Sequence, residues 1–377
     1  MGTTLLIIYV SILFLASLLV IFNAPTYFLW KVSIAVTEFG NLIFIILIFP
    51  VCILFCFQKH ISVEAIYLLI ASVFLLSYPI FSAFKIKKTI SKKLKLAFEK
   101  EIALSSKIIS LKKYFFGTPV NEVSIKTITY STKDEKNLQL DFYDCSSLTP
   151  SPCVVVIHGG SWNSGDNKQI SGLNHRLAKK GFQVAAINYR LAPENKFPAA
   201  IEDTKEAIDF LKRNAQELNM NSSNLFLLGR SSGGEIALLT AYTKKDENIK
   251  GVISFYAPAD MVWGYSLPGN PLVMDSRKVL EDYIGGTFAA REKDFFTSSP
   301  IEFLDAKTPP TLLIHGKKDV LVAYQHSTRL SKKLTENNIP HFLLSLPWAT
   351  HGADFNPNGL SAQLSDYAIE HFLKSFA

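Results

Sequence analysis

One serine in this chain stands in a setting that makes nucleophilic chemistry the first expectation. Ser231 lies in Gly229-Arg230-Ser231-Ser232-Gly233, after the apolar run Leu225-Phe226-Leu227-Leu228 and before the helix-like Glu235-Ile236-Ala237-Leu238-Leu239. A strand, then G-x-S-x-G, then a helix is the layout of a nucleophile elbow, a turn so tight that the neighbours of the serine must be small. A free hydroxyl attacks poorly at neutral pH and needs a base beside it. Eight histidines compete for that role. His351 is the candidate, because Trp348-Ala349-Thr350-His351-Gly352 directly follows a strand-like run ending at Leu346. From there a ring can reach across the carboxyl edge of a sheet. His175, His326 and His371 fall in helix-like patterns, His60 lies among the N-terminal apolar runs, and His315 and His341 remain as reserves at strand ends.

The base in turn needs a carboxylate to hold its tautomer and stabilise the imidazolium. Asp319 follows the run Thr311–Ile314 through His315-Gly316-Lys317-Lys318 and precedes His351 by 32 residues, about one strand-helix-strand step. Asp305 and Asp354 are the alternatives. Ser231, Asp319, His351 is the chain order used by α/β-hydrolases. A further motif, Val156-Ile157-His158-Gly159-Gly160-Ser161-Trp162, ends another apolar run. Its glycines let backbone N–H groups turn toward a reacting carbonyl, so Gly159, Gly160 and Ser232 are expected to form an oxyanion hole. The ring of His158 is expected to bond local backbone and support that loop.

The elements needed to carry these groups are legible from about Pro119 onward. Period-two runs at 123–128 and 138–142 predict an antiparallel starting pair. Short apolar runs follow at 154–157, 183–187, 225–228, 252–256, 311–314 and 342–346, the pattern of buried parallel strands. Helical patterns separate them, among them 199–211 and 362–376. The expected class is α/β: one domain over 118–377 with a mostly parallel sheet and helices on both faces. The long stretch between Pro258 and Pro300 would then lie over the carboxyl edge and shape a substrate pocket.

The charge is uneven. The whole chain is +7, but residues 1–117 hold twelve lysines against four glutamates, which leaves the remainder near neutrality. No basic face of the kind a nucleic-acid partner needs is visible. Residues 1–84 read as a transmembrane anchor, with apolar spans at about 5–22, 39–57 and 65–84. Glu38 and Asn41 crowd the start of the second, so two or three spans are expected, with the lipid bilayer as a partner. Lysines at 85, 87, 88, 92, 93 and 95 follow the last span and place what comes after it in the cytoplasm. Residues 85–117 are expected to be a basic amphipathic linker, lying on an anionic leaflet or simply solvated, or else a cap over the site. Cys52 and Cys56 sit in an apolar run, Cys145 and Cys153 flank a polar loop, and all four are read as thiols with no metal pattern among them.

Taken together, His158–Trp162, Tyr189-Arg190-Leu191-Ala192-Pro193-Glu194, Phe197-Pro198-Ala199-Ala200, Gly229–Gly234 and Leu313–Asp319 resemble the hormone-sensitive-lipase-like carboxylesterases over roughly residues 120–377. The resemblance implies an α/β-hydrolase fold over 118–377 and hydrolysis of carboxylic esters, often short-chain acyl esters, with no cofactor. The chain departs from the family pattern at Ser161, where a third glycine is usual, and at Arg230, where an acidic residue is common. Arg230 is expected to pair with a nearby carboxylate. The alternatives are an amidase or peptidase on the same fold, separable by matched ester and anilide substrates, and an inactive membrane-tethered binding protein. A fluorophosphonate label blocked by Ser231→Ala would exclude the latter. The substrate is expected to be a small-molecule or lipid-like ester; the oligomeric state is not readable.

Overall fold

The structure, a computed structural model, describes residues 2–43, 45–47, 62–102, 104, 107–119, 121–133 and 136–377. Its centre is one sheet of β1 (Ile125–Lys133), β2 (Lys136–Tyr143), β3 (Ser151–Ile157), β4 (Gln183–Ile187), β5 (Met220–Arg230), β6 (Ile249–Phe255), β7 (Thr311–Gly316) and β8 (His341–Leu346). The strand order is β1-β2-β4-β3-β5-β6-β7-β8. β2 pairs antiparallel with both β1 and β4, and every other pair is parallel. Each strand-like run in the sequence coincides with a strand.

The central strands are apolar on both faces because helices cover both. Successive side chains alternate: Val155, Ile157, Leu225 and Leu227 pack into one layer with Ile208, Leu211 and Leu238. Val154, Val156, Phe226 and Leu228 pack into the other with Leu364, Ala368 and Phe372. The expected helices are Ala199–Arg213 and Leu360–Phe376, and their four-residue apolar spacing is the face they bury. Cys145 and Cys153 are free thiols; Cys52, Cys56 and His60 lie outside the described residues.

The N-terminal region departs from expectation in two ways. Helix Gly2–Ser17 continues as a 3-10 turn through Val20, and Tyr27–Glu38 forms a second helix. The expected span 39–57 lies largely outside the described residues. The expected span 65–84 is only the first part of one continuous helix, Val63–Phe98, so the boundary at 84/85 falls inside a single element. Nothing breaks it there, since the residues around 84/85 include neither glycine nor proline. Among the described residues this helix alone is long and apolar enough to cross a bilayer, while Leu6–Val20 is apolar but shorter.

The second departure concerns residues 85–117. Ile90, Leu94 and Phe98 do not face a leaflet. They are buried in the α/β core, where the Phe98 ring meets Phe372 and Phe376 at centroid distances of 5.1 and 5.5 Å. Nor does this segment cap the site, because none of its residues lines the cavity described below. An amphipathic stripe buries against whatever apolar surface is nearest, and here that is the helix Leu360–Phe376.

Candidate active site

β5 ends in the tight turn that G-x-S-x-G requires. Ser231 sits at φ 53, ψ −122, outside the regions most residues occupy. A Cβ on Gly229 would lie 2.0 Å from the carbonyl oxygen of Gly233, and one on Gly233 would lie 2.2 Å from that of His158. Only glycine at both positions allows the strand, the oxyanion loop and the following helix to approach this closely. The Ser231 N–H donates to the Phe255 carbonyl at 2.9 Å, which fixes the elbow to β6.

The three polar groups come together above the carboxyl ends of β5, β7 and β8. His351 Nε2 is 3.0 Å from Ser231 Oγ, and His351 Nδ1 is 2.7 Å from Asp319 Oδ2. The other carboxylate oxygen of Asp319 accepts from the N–H groups of Leu321 and Val322, both at 2.9 Å. Burial opposes ionisation of Asp319. The neighbouring His351 and the hydrogen bonds from His315 and His351 outweigh it and hold the carboxyl well below the usual range. Asp319 is therefore a standing acceptor, and a hydrogen bond from Nδ1 leaves Nε2 free to accept the serine proton.

His315 approaches the same carboxylate from the other side, with Nε2 3.2 Å from Asp319 Oδ2 and 3.0 Å from the Val322 carbonyl. Both neighbours are acceptors, so Nε2 carries the proton. Its Nδ1 lies 2.7 Å from Ser327 Oγ. His315 thus orients the carboxylate and does not reach Ser231. His341 contacts Ser331, His371 contacts Ser375, His175 accepts from the Val123 N–H, and His326 accepts weakly from the amides of Ala259 and Asp260. The alternative carboxylates are engaged elsewhere. Asp305 pairs with Lys245. Asp354 accepts from Arg230 Nε at 2.6 Å and from Tyr256 Oη at 2.5 Å. Arg230 is thus held by a carboxylate, and the Tyr256 ring packs 4.4 Å from the ring of His351.

The oxyanion loop needs one correction. The Gly159 N–H already donates to Gln169 Oε1 at 2.8 Å, so it does not face the serine as a free donor. A Cβ at Gly159 would meet the Arg230 carbonyl oxygen at 2.8 Å, so close packing under the elbow accounts for the glycine. The amides of Gly160 and Ser232 have no hydrogen-bond partner among the described residues. His158 stacks on Tyr189 at 4.3 Å, and its Nδ1 lies 2.9 Å from the Gly159 carbonyl. Burial pushes its pKa down, so it braces the loop as a neutral ring. Trp162 stacks on Tyr283 at 4.3 Å and donates Nε1–H to Glu235 Oε2 at 2.9 Å. Gln169, Tyr256 and Glu235 have no motif that marks them in the sequence.

The largest omission from the sequence reading is the N-terminal segment 21–38, which straps the site. Trp30 donates Nε1–H to the carbonyl of His351 at 3.0 Å. Glu38 accepts from Trp348 Nε1 at 3.0 Å, from Ser361 Oγ at 2.6 Å and from Ser361 N at 3.1 Å. Its own carbonyl accepts from Asn356 Nδ2 at 2.6 Å. The loop that carries His351 is therefore gripped on both sides by a part of the chain more than 300 residues away. Farther along, the Tyr27 N–H donates to the Leu272 carbonyl at 3.0 Å, and Asn270 Nδ2 donates to the Pro25 carbonyl at 2.9 Å.

Strap and insertion together enclose a cavity of about 1170 Å³ over Ser231 and His351. The insertion between β6 and β7 folds as helices Met261–Ser266, Ser276–Ile284 and Phe288–Thr297 and supplies much of the wall, as its position over the sheet edge suggested. Among the described residues no cluster of His, Cys, Asp and Glu is placed to hold a metal ion.

Comparison with known proteins adds three findings. The BD-FAE family model matches residues 140–334. Among curated proteins, the chain is 26% identical over 238 residues to "Probable carboxylic ester hydrolase LipM" of Mycobacterium tuberculosis (strain ATCC 25618 / H37Rv), covering 59% of this chain and 54% of that one. It is 27% identical over 243 residues to "Esterase LipC" of the same organism, covering 59% and 58%. The chain thus spans little more than half the length of these relatives. Among solved structures, "Bacterial Heroin Esterase" aligns with a TM-score of 0.59 at 21% identity, over 69% of this chain and 86% of that one. The hyperthermophilic esterase from the archaeon Pyrobaculum calidifontis aligns with a TM-score of 0.58 at 20% identity, over 78% and 94%. At such identities the likeness speaks for the fold, which is that of the α/β-hydrolases.

Proposed function

The chain belongs to the BD-FAE family, and we propose that it is a membrane-anchored serine hydrolase that cleaves carboxylic esters through an acyl-enzyme. The observation that carries the reading is the unbroken hydrogen-bond line from Ser231 Oγ through the His351 ring to Asp319. His351 Nε2 takes the serine proton as Oγ attacks the ester carbonyl. The imidazolium so formed is stabilised by the Asp319 carboxylate. The tetrahedral oxygen is received by the N–H groups of Gly160 and Ser232, donors that meet charge only once it has developed. His351 then protonates the departing alcohol. In the second half it accepts a proton from water, which attacks the acyl-serine and releases the acid. No step calls for a cofactor.

The names of the curated relatives support ester cleavage as the reaction class. The apolar helices at the amino end support anchoring, and the lysines of Val63–Phe98 support a cytoplasmic catalytic domain. Hydrolysis of p-nitrophenyl acetate or butyrate tests the reading. Ser231→Ala should abolish turnover while leaving the melting temperature in place, and Asp319→Asn should lower kcat by orders of magnitude. Undiminished turnover of Ser231→Ala overturns the assignment. A matched acetyl ester and acetanilide separate ester from amide preference.

A further inference from the structure

We infer that the catalytic cavity takes its substrate from the bilayer, which makes the substrate class an ester lipophilic enough to partition into hydrocarbon. The inference deepens the ester-hydrolase reading and rests on it.

Its first support is where the apolar N-terminal helix ends. Leu19, in the last turn, packs in one cluster with Trp30, Val320 and Leu321, and the last two directly follow Asp319. The Ile21 carbonyl accepts from Lys318 Nζ, a cation of the same loop at the carboxyl end of the helix. Asn23, Ala24 and Pro25 then line the cavity. At no more than about 3.6 Å per residue, Asn23 lies within about 11 Å of Val20. The wall of the cavity thus begins within a few residues of where the apolar helix stops.

The second support is the rim. Phe22, Phe28 and Leu272 are 59%, 70% and 69% exposed, and none of them lines the cavity. Single exposed apolar residues are ordinary. These three lie on the strap and the insertion, which meet where the Tyr27 N–H is bound to the Leu272 carbonyl. The apolar helix that leads into the strap adds Ile8, Ile12 and Leu15, each more than half exposed. Hydrocarbon fits such exposed apolar side chains; a polar protein partner does not. Lysines 85, 87 and 88, where Val63–Phe98 passes from its apolar to its basic half, match an anionic headgroup layer. The cavity itself offers apolar lining, among it Trp263, Leu267, Val273, Met274, Val320 and Leu321. Its size far exceeds what an acetyl ester fills.

The test uses the full chain reconstituted in phosphatidylcholine vesicles, as wild type, as the triple variant Phe22→Ser, Phe28→Ser, Leu272→Ser, and as Ser231→Ala. Each is assayed on p-nitrophenyl acetate in water and on p-nitrophenyl palmitate dissolved in the bilayer. The inference expects wild type to turn over both. The triple variant should keep acetate turnover within about twofold and lose at least about tenfold on palmitate, as lost interfacial contact requires. Equal rates for variant and wild type on both substrates overturn it, and so does a parallel loss on both. Wild type that cleaves acetate in a Ser231-dependent way but leaves palmitate intact also overturns it, while the esterase reading stands. Failure of wild type on both substrates, or full turnover by Ser231→Ala, brings down the esterase reading itself.

Discussion

Replacing Glu38 by alanine is the sharpest probe of the strap, because the structure says which groups it would strand. The carboxylate is fully buried and accepts three hydrogen bonds, from Trp348 Nε1, Ser361 N and Ser361 Oγ. The hydroxyl can rotate to another acceptor; the indole and amide donors cannot. Each buried donor left unpaired costs about 1–3 kcal/mol, so Glu38→Ala should destabilise the protein by about 2–6 kcal/mol. At about 2–4 °C per kcal/mol for a domain of this size, the midpoint should fall by roughly 5–20 °C. Glu38→Gln keeps one acceptor but turns an NH₂ toward the Ser361 N–H, and should cost about 1–3 kcal/mol. Trp348 and Ser361 flank the loop carrying His351, so turnover of p-nitrophenyl acetate well below the midpoint should fall about tenfold in Glu38→Ala, as a misplaced base requires. Thermal unfolding of the detergent-solubilised full chain and steady-state kinetics read the two effects. A Glu38→Ala protein that melts with wild type and turns over at full rate refutes the strap as a working part of the site.

Three further perturbations test separate pieces. Trp30→Phe keeps an aromatic ring but removes the donor to the His351 carbonyl; a loss of about 1–2 kcal/mol should appear as a fall in kcat of roughly 5–30-fold with KM little changed. Burial pushes Glu235 from its ordinary 4.5 up to about 8, against the hydrogen bonds from Trp162 and Tyr283. The native state then holds a proton that the unfolded chain releases, so this contribution to stability is complete below pH 4.5 and is lost as pH rises through about 8. Glu235→Gln removes that dependence, and its unfolding free energy should gain on wild type between pH 5 and 9 by an amount on the order of 3–5 kcal/mol; stabilities that run parallel across that range contradict it. Leu94→Ala should cost about 2–5 kcal/mol if the basic half of Val63–Phe98 is core, as its complete burial indicates; a change within about 0.5 kcal/mol would mark a surface helix.

Much of this architecture can be read from local pattern, and the exceptions share one cause. Six of the eight strands announce themselves as short, mostly apolar runs packed beneath helices, and β1 and β2 as period-two runs. Ser231, Asp319 and His351 sit at strand ends, where spacing along the chain maps onto position along the sheet edge. Glu38 and Trp30 carry no such mark. Glu38 stands at the margin of an apolar run, where it reads as a blemish in a span, and its partners are Trp348 and Ser361, more than 300 residues on. Nothing local distinguishes a carboxylate that accepts three buried donors from one that faces water. The Gly159 amide reads as an oxyanion donor for a similar reason, since its motif does not record that Gln169 already takes it. Within the helix Val63–Phe98 the change of composition at 84/85 alters which surface it meets without altering its backbone.

The central claim is that Ser231 Oγ is the atom that becomes acylated, and trapping it is the most direct test. The full-length protein is treated with a fluorophosphonate, digested and mapped by mass spectrometry. The account predicts a single adduct on Ser231, formed in parallel with the loss of p-nitrophenyl acetate turnover, slowed strongly in a protein carrying His351→Ala and absent from one carrying Ser231→Ala. An adduct on another residue, or full inactivation of the Ser231→Ala protein's remaining turnover by the same reagent, would contradict it.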